Sequence, residues 1–192
     1  MMNLKHKSIL DTATALFSKY GFHAVGIDRI IAESKVAKMT FYKYYPSKEF
    51  LIESVLIKHD QDFRDSINTA LVKHRTARTK IKAIFDWHEK WFLTEAFHGC
   101  MFIRASEEFM HTSPKIREIS QDHKIWKASV ISYCLEQCQV ESFTETSEFI
   151  LVVLDGLTGR SNMFKGGTKG LVASAWRHVE AMIKAEPEDF LG

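Results

Sequence analysis

Proline and cysteine, the residues that interrupt helices or cross-link chains, are scarce in this sequence. It holds three of each in 192 residues. Few prolines permit long helices, and an odd number of cysteines argues against a fold built on paired disulfides. The net charge is only +2, so any affinity for a polyanion must come from a local cluster of charge.

Long hydrophobic runs are also missing. The strongest run, residues 149–154, is ended by Asp155 and Gly156, well short of the ~20 apolar residues that a membrane-spanning helix needs. The opening residues MMNLKHK contain no apolar signal core. We therefore expect a cytoplasmic protein that has no membrane partner.

Signatures of enzymes and metal sites do not occur either. The sequence has no GxSxG, GxxxxGK[ST] or GxGxxG motif, and GGTKG at Gly166 has the composition of a helix break. His88-Glu89 lacks the second histidine of HExxH, and Cys134 and Cys138 have no histidine at zinc-site spacing. We expect no enzymatic activity, no cofactor and no metal. The cysteines fit small buried hydrophobes, with oxidant sensing as the alternative.

The most informative segment of the sequence is residues 25–51, where two short helical patterns flank a tight turn. Ile27, Ile30 and Ile31 recur at i, i+3 and i+4, so they line one side of a first helix. Val36 lies in the turn, where an apolar side chain can pack against that side. This arrangement is typical of a helix-turn-helix, a motif that contacts bases in DNA-binding proteins.

The second helix of the motif has an unusual outward surface. Phe41 and Tyr45, spaced i and i+4, are expected to point inward. Residues 36–48 contain three lysines and three tyrosines but no acidic residue, whereas an ordinary solvated helix mixes both signs. Such a surface suits phosphates and base edges. The predicted DNA-binding residues are Lys38, Met39, Thr40, Tyr42, Lys43, Tyr44 and Lys48.

Lys48 is expected to bind a phosphate from the start of the next helix. Ser47 follows Pro46 and can cap that helix, which leaves Lys48 in a first turn whose free amides attract anions. Residues 1–58 hold nine Lys+Arg against five Asp+Glu, while residues 59–192 hold seventeen against nineteen. The basic character therefore belongs to the motif. The alternative, a plain three-helix core with solvated lysines, explains this partition less well.

These residues resemble the TetR family of bacterial transcriptional regulators over roughly residues 4–56. The segments that match are KYG at Lys19–Gly21, then GIDRIIAES, then KMTFYKYYPSKEFL. The resemblance implies an amino-terminal DNA-binding domain followed by a helical domain that dimerises and holds a small inducer.

Three positions depart from the family pattern. Gly26 stands where a capping threonine is usual, and Met39 replaces a glycine on the outward surface. Lys35 replaces the glycine of the turn, so a positive φ there would cost roughly 1 kcal/mol. The operator contacts therefore cannot be copied from a relative.

Long helical patterns fill most of the remaining chain, and we predict an all-α fold of about nine helices. The first runs over residues 4–20 and ends at Gly21, a suitable residue for a helix carboxyl end. A helix that begins near Ser47 should link two domains. We assign residues 1–50 to the helix-turn-helix DNA-binding domain and residues 51–192 to a helical ligand-binding and dimerisation domain.

Later helix boundaries also carry sequence signals. Ser113, followed by proline, is expected to begin one helix. Ser142 and Glu145 have the spacing of a capping box for the next helix, which the glycine pair at 166–167 should end. The last helix is expected over residues 171–185.

The last two helices carry more apolar surface than packing on one flank requires. Gly156 and Gly159 would let a neighbouring helix approach closely. We predict a homodimer built as a four-helix bundle, with two helices from each chain. Its recognition helices would lie about 34–36 Å apart, or a multiple of that, which requires an inverted-repeat operator. The predicted dimer contacts are Phe149, Val153, Leu157, Trp176, Val179 and Ile183.

The middle of the chain is rich in aromatic residues. Any one of them fits a helical core, but the whole set, together with the TetR resemblance, predicts an apolar inducer pocket. His88, Arg104, Glu107 and His111 are its candidate polar groups, although each also fits a surface or helix-end position. The predicted ligand-binding residues are Trp87, Trp91, Phe102, Trp126 and Cys134.

Together these features predict a dimeric, ligand-responsive regulator that binds double-stranded DNA. The family resemblance implies a repressor that a small apolar or amphipathic inducer releases from its operator. One alternative is a small-molecule-binding helical protein without specific DNA binding, and another is an enzyme that uses the aromatic cavity. Binding to DNA that flanks the protein's own gene separates the first class from the others.

Overall fold

The computed structural model describes residues 4–164 and 170–184, which form nine α-helices and no β-strand. The all-α prediction is confirmed. No helix in these residues combines the length and apolarity needed to cross a membrane. In chain order the helices are α1 (Leu4–Tyr20), α2 (Ile27–Ser34), α3 (Lys38–Tyr44), α4 (Lys48–Leu71), α5 (Ala77–Phe92), α6 (Met101–Glu108), α7 (Pro114–Gln137), α8 (Phe143–Met163) and α9 (Leu171–Lys184).

The chain divides into two compact units. The first contains the residues up to Phe63 together with residues 100–123, and the second contains residues 64–99 and those from Lys124 onward. Helices α4 and α7 contribute residues to both units. This grouping differs from the sequence-based division at residue 50, because a segment that is distant in sequence packs with the amino-terminal helices.

Helix α1 supplies the centre of the first unit. Its residues Ile9, Ala13 and Phe17 recur at every fourth position and are fully buried, as an amphipathic helix requires. Helices α2 and α3 pack against α1. Side chains from α3, α4, α6 and α7 complete the same core; they include Phe41, Leu51, Leu56, Phe102 and Ile116.

The core of the second unit lies where α5, α8 and α9 pack on one another. The ring of Phe85 in α5 lies 5.6 Å from that of Trp176 in α9, measured between centroids. Ile150 and Leu154 of α8 are fully buried beside them. Helix α7 adds Leu135 to this core.

Most helix boundaries follow the sequence signals. Gly21 has a φ of +86° just after α1, and Ser113 Oγ accepts a long hydrogen bond of 3.5 Å from an amide in the first turn of α7. Ser142 precedes α8, but its side chain makes no capping hydrogen bond, so the predicted capping box is wrong. The predicted glycine break at 166–167 and the predicted helix end at Ala185 lie outside the described residues.

Candidate nucleic-acid interface

The turn between α2 and α3 sets the direction of α3. Lys35 ends α2 in the left-handed conformation, with φ 55° and ψ 35°, and its amide donates to Ala32 O. This is the strained geometry that the missing turn glycine implied. Gly26 begins α2 without a side-chain cap, as expected from the missing threonine. Ser8 Oγ of α1 donates to Ser34 O at 3.0 Å and ties the end of α2 to α1.

Two inward aromatic side chains hold α3 in place. Phe41 is fully buried and Tyr45 is 1 % exposed, which confirms the prediction from their spacing. The Tyr45 hydroxyl lies 3.1 Å from His6 Nε2, and the two rings stack at 5.3 Å between centroids. Burial raises the pKa of Tyr45 to about 12, because a phenolate would lose its hydration. The neutral phenol therefore fixes the end of α3 to α1.

The opposite side of α3 is basic, aromatic and exposed. Met39 is 87 % exposed and the side chain of Lys38 is 67 % exposed. Tyr44 is half-buried at the edge of this surface, where its ring packs edge-on against His6 at 5.4 Å. We define the α3 surface as Lys38, Met39, Thr40, Tyr42, Lys43 and Tyr44.

The charge of the α3 surface is only weakly neutralised. Lys38 Nζ lies 3.7 Å from Asp28 Oδ1, and the two side chains are 67 % and 90 % exposed. An ion pair this exposed contributes ~0–1 kcal/mol, because water screens it and both side chains lose freedom. A phosphate can therefore replace the carboxylate at little cost.

Lys48 lies beside this surface at the start of α4. Ser47 Oγ accepts from the Phe50 amide at 3.1 Å, so the predicted helix cap is confirmed. Lys48 Nζ donates to His23 O at 3.4 Å. Partial burial lowers the pKa of Lys48, because desolvation disfavours the ammonium. The lysine is therefore held against the α1–α2 turn rather than fully extended into solvent.

Helix α6 holds the same turn through two charged side chains. Arg104 Nη1 donates to two carbonyl oxygens in the last turn of α1, at 2.7 and 3.2 Å. The Glu108 carboxylate accepts from the amides of Phe22 and His23 at 3.2 and 2.7 Å. Gly21 has a φ of +86°, which is strained for any residue with a Cβ, and a Cβ there would also lie 3.0 Å from Glu108 Oε1. No local sequence pattern predicts these contacts, because they join segments more than 80 residues apart.

The predicted ligand-binding residues are distributed over both units. Phe102 belongs to the core of the first unit. Trp87 and Trp91 belong to the second unit, with their ring centroids 5.5 Å apart. Trp126 lies in the same unit, beneath a guanidinium at 4.8 Å from its ring centroid. Cys134 lines a groove that includes none of these aromatic residues.

The candidate polar groups also have varied positions. Arg104 contacts α1, as described, while Glu107 and His111 are exposed. His88 is fully buried, against the expectation of a surface position, and its Nε2 lies 3.4 Å from Lys127 Nζ. Lys127 in turn lies 3.6 Å from Asp155 Oδ1. The Nδ1 of the same ring lies 2.7 Å from Ile84 O, so Nδ1 is placed to donate and Nε2 to accept a hydrogen bond.

Four of the six predicted dimer residues are buried within the chain itself. Each is at most 8 % exposed and packs in the core of the second unit. These side chains are therefore not available to a second copy. Periodicity identified these positions in α8 and α9 as apolar, but it does not tell a position in the core of the chain from one at an interface. The residues corrected in this way are Leu157, Trp176, Val179 and Ile183.

An exposed apolar stripe runs along another side of α8. Phe149, Val152 and Met163 are 47 %, 67 % and 77 % exposed. Gly156 and Gly159 lie between them, and a Cβ at either glycine would meet no atom within 4 Å. The five positions alternate in steps of three and four, so they share one side of the helix. We call these five residues the α8 stripe; Val153, the remaining predicted contact, is half-buried beside it.

Cys134 is buried and Cys138 is half-buried, and neither forms a disulfide. Burial raises the pKa values of Cys134 and Cys138, so both side chains remain thiols at neutral pH. Among residues 4–164 and 170–184, no group of three or more His, Cys, Asp and Glu side chains is placed to hold a metal ion.

Sequence relatives match the part of the chain that contains the α3 surface. A family model described as bacterial regulatory proteins, tetR family, matches residues 9–55. The HTH-type transcriptional regulator YuxN of Bacillus subtilis (strain 168) is 38 % identical over 126 residues, which cover 62 % of this chain and 43 % of YuxN. The HTH-type transcriptional activator FasR of Mycolicibacterium smegmatis is 29 % identical over 85 residues, which cover 42 % of this chain and 39 % of FasR. The chain thus spans less than half the length of these curated relatives.

A solved structure matches over nearly the whole chain. SCO4454, a TetR-family transcriptional regulator from Streptomyces coelicolor, superposes with a TM-score of 0.85 at 26 % identity, covering 94 % of this chain and 95 % of that one. The family model therefore matches the helix-turn-helix, and the structural likeness extends through the remaining helices. The helix-turn-helix segment is thus similar to that of bacterial regulatory proteins of the tetR family, and the described helices share the fold of a TetR-family transcriptional regulator.

Proposed function

We propose that this protein is a homodimeric transcriptional repressor that binds an inverted-repeat DNA operator and is released by a small apolar or amphipathic molecule. The observation that carries the proposal is the exposed α3 surface, which lies in a segment without acidic residues over 36–48. A short exposed helix of this kind fits the major groove, where base edges and phosphates are both within reach.

Two kinds of DNA contact follow from the side chains. Lys38 and Thr40 offer donors for base edges near the start of α3, and Met39 offers an apolar contact for a thymine methyl. Tyr42 and Lys48 offer a hydroxyl and an ammonium for phosphate oxygens, which position the protein without carrying sequence information.

The dimer is proposed to form through the α8 stripe and the exposed side of α9. The open space over Gly156 and Gly159 supports this choice, because a second helix can approach the backbone there. Phe149 and Val153 keep their proposed role at this interface. A twofold axis then explains why the operator is expected to be an inverted repeat.

Residues 1–50 are proposed to bind DNA, and residues 51–192 to bind the inducer and to dimerise, in the cytoplasm and without enzymatic activity. The inducer acts only through the difference in its affinity for the DNA-competent and incompetent states. A reporter gene placed behind the operator tests the direction of control. Its expression should fall when the protein is present; a rise would make the protein an activator, as the name of its relative FasR describes.

Binding to DNA across a salt series tests the central proposal. We expect specific binding to a fragment that flanks the protein's own gene, with a log–log slope of several units, at about 0.9 per phosphate contacted. Competition with unrelated DNA of equal length supplies the control. Equally weak binding to all sequences would support the alternative, a small-molecule-binding protein without an operator.

Substitution of Lys48 tests the proposed phosphate contact. Lys48→Ala should weaken binding to all sequences alike and lower the salt slope by about one unit. Lys58→Ala removes the same charge from the same helix, at a lysine that pairs with Asp62, and should leave both quantities unchanged. Unchanged affinity of Lys48→Ala would contradict the assignment. Substitution of Lys38 or Thr40 should instead alter the preferred sequence.

A further inference from the structure

A groove in the second unit lies between the end of α4, the start of α5 and the middle of α7. Its volume is about 450 Å³, within the range of roughly 300–1,000 Å³ that small-molecule sites occupy. Leu71, Val130 and Cys134 form an apolar wall that is half-buried or buried. Val72, at the mouth, is 79 % exposed. The groove thus offers apolar contact together with access from solvent.

One cation faces this apolar wall. Of the described residues that line the groove, Lys80 alone carries a charge, and no carboxylate in the described parts of the chain pairs with it. Burial raises the pKa of Cys134, and the positive charge of Lys80 opposes that shift. The ammonium is therefore close enough to the buried wall to act on a group bound there.

The surrounding sequence adds positive charge. Residues 66–85 contain five Lys+Arg and no acidic residue. Arg78 is paired with Glu180, whereas Lys80, two positions later, lines the groove. Asn68 and Ser129 are exposed at the rim and supply neutral polar groups. The groove and its surroundings therefore favour an anion over a cation.

We propose that this groove binds a small amphipathic carboxylate, whose apolar body lies against Leu71, Val130 and Cys134 and whose carboxylate pairs with Lys80. The apolar body gains from leaving water. A neutral head group gains nothing from the ammonium, and a cationic head group meets like charge. Affinity therefore depends on the charge of the head group.

The regulatory consequence rests on the proposed function, but the binding step does not. Asn68 and Leu71 belong to α4, the same helix that begins with Lys48. A ligand that joins this end of α4 to α5 and α7 favours one position of α4. In the proposed repressor, this groove is accordingly the inducer site.

The test compares three probes that share an eight-carbon chain: octanoate, octan-1-ol and octyltrimethylammonium. Isothermal titration calorimetry on the full chain, without DNA, measures their affinities. Wild-type protein should bind octanoate about tenfold more tightly than either other probe, a difference that corresponds to ~1.4 kcal/mol. No measurable octanoate binding, or a preference for the alcohol or the cation, overturns the proposal.

Three variants locate the site. Lys80→Met should lower octanoate affinity about tenfold, to the level of octan-1-ol, without changing the affinity for the alcohol. Lys90→Met removes the same charge from an exposed position on the same helix that does not line the groove, and should change neither affinity. Ser129→Trp places an indole at the exposed rim and should abolish binding of all three probes.

Two further outcomes decide the assignment. Equal octanoate affinity in wild type and Lys80→Met, with native circular dichroism in both, overturns it. If Ser129→Trp instead turns a dimer into a monomer in sedimentation experiments, a second copy covers the groove and the proposal also fails. Because no DNA is present in these measurements, a failure of operator binding would overturn the proposed function and leave the carboxylate site standing.

Discussion

Lys35 shows how a single residue can be strained without loss of the fold. Its φ of 55° brings Cβ close to the following carbonyl group. The side chain is exposed, and the amide still donates to Ala32 O. The cost therefore lies in the backbone alone, and the core of the first unit outweighs it.

Lys35→Gly should increase the free energy of unfolding by about 0.5–1 kcal/mol, because glycine adopts this conformation without the Cβ contact. The greater flexibility of glycine in the unfolded chain offsets part of this gain. Urea denaturation at neutral pH measures the change. Lys35→Ala is the control, since it removes the charge and keeps Cβ. An equal gain in Lys35→Ala would assign the effect to charge instead of backbone strain.

Tyr45 should make stability fall at alkaline pH. Its pKa of about 12 in the folded protein exceeds the ordinary value of 10.0, so the phenol is neutral in both states below pH 10. Between pH 10 and 12 the unfolded chain loses this proton and the folded chain keeps it, so the free energy of unfolding decreases.

Tyr45→Phe tests this expectation. The variant should be about 1 kcal/mol less stable at pH 7, because it loses the hydrogen bond to His6. Its deficit should shrink from pH 10 to 12, since phenylalanine does not titrate. Chemical denaturation of both proteins over this range gives the comparison, and parallel curves would show that Tyr45 does not titrate as described.

Among the helices, α8 has apolar side chains on two sides that differ in their surroundings. Ile150 and Leu154 are fully buried in the second unit, whereas Phe149 and Val152 are exposed in the α8 stripe. Residues in a monomer core and residues in a proposed dimer contact thus alternate along one helix. Hydrophobic periodicity alone does not tell the two apart, because it reports apolar character and not the identity of the neighbour.

Gly156→Leu separates chain folding from dimerisation. The open space at this position means that the new side chain meets no atom of its own chain, and leucine favours helix over glycine by up to about 1 kcal/mol. The variant should fold with native circular dichroism yet sediment as a monomer, because the side chain blocks close helix approach. Glu136→Leu, on the exposed surface of α7, should stay dimeric. A dimeric Gly156→Leu protein would place the interface elsewhere.

Local helix signals proved sufficient where contacts are close in sequence. They predicted the ends of α1, the inward pair Phe41 and Tyr45, and the Ser47 cap. They failed for contacts between distant segments. Arg104 and Glu108 contact the end of α1 and the turn after it only because residues 100–123 belong to the first unit, although residues 64–99 before them belong to the second. Such contacts depend on tertiary packing, which a local pattern does not contain.

At the scale of the whole molecule, the first unit is discontinuous in sequence. Residues 100–123 complete a core that the amino-terminal helices begin. Phe102 and Ile116 are 2 % and 0 % exposed within that core. The helix-turn-helix therefore depends for part of its stability on a segment far beyond it in the chain.

A fragment that ends at Phe63 should consequently lack a stable fold. It would lose Phe102, Phe109 and Ile116 from its core, and deleting one large buried side chain already costs ~2–5 kcal/mol. Thermal unfolding followed by circular dichroism should show a broad, non-cooperative transition, whereas the full chain should show a sharp one. A sharp transition for the fragment would mean that residues 100–123 are dispensable for folding.

This discontinuity also bears on synthesis. A ribosome makes α1 to α3 early, but Phe102 and Ile116 follow much later. Until they emerge, the apolar surface that they cover is open to non-native association, a hazard for incompletely folded chains. The core of the first unit is therefore complete only after translation has passed residue 123. A chain that is terminated before that point leaves apolar surface exposed, which chaperones and proteases recognise.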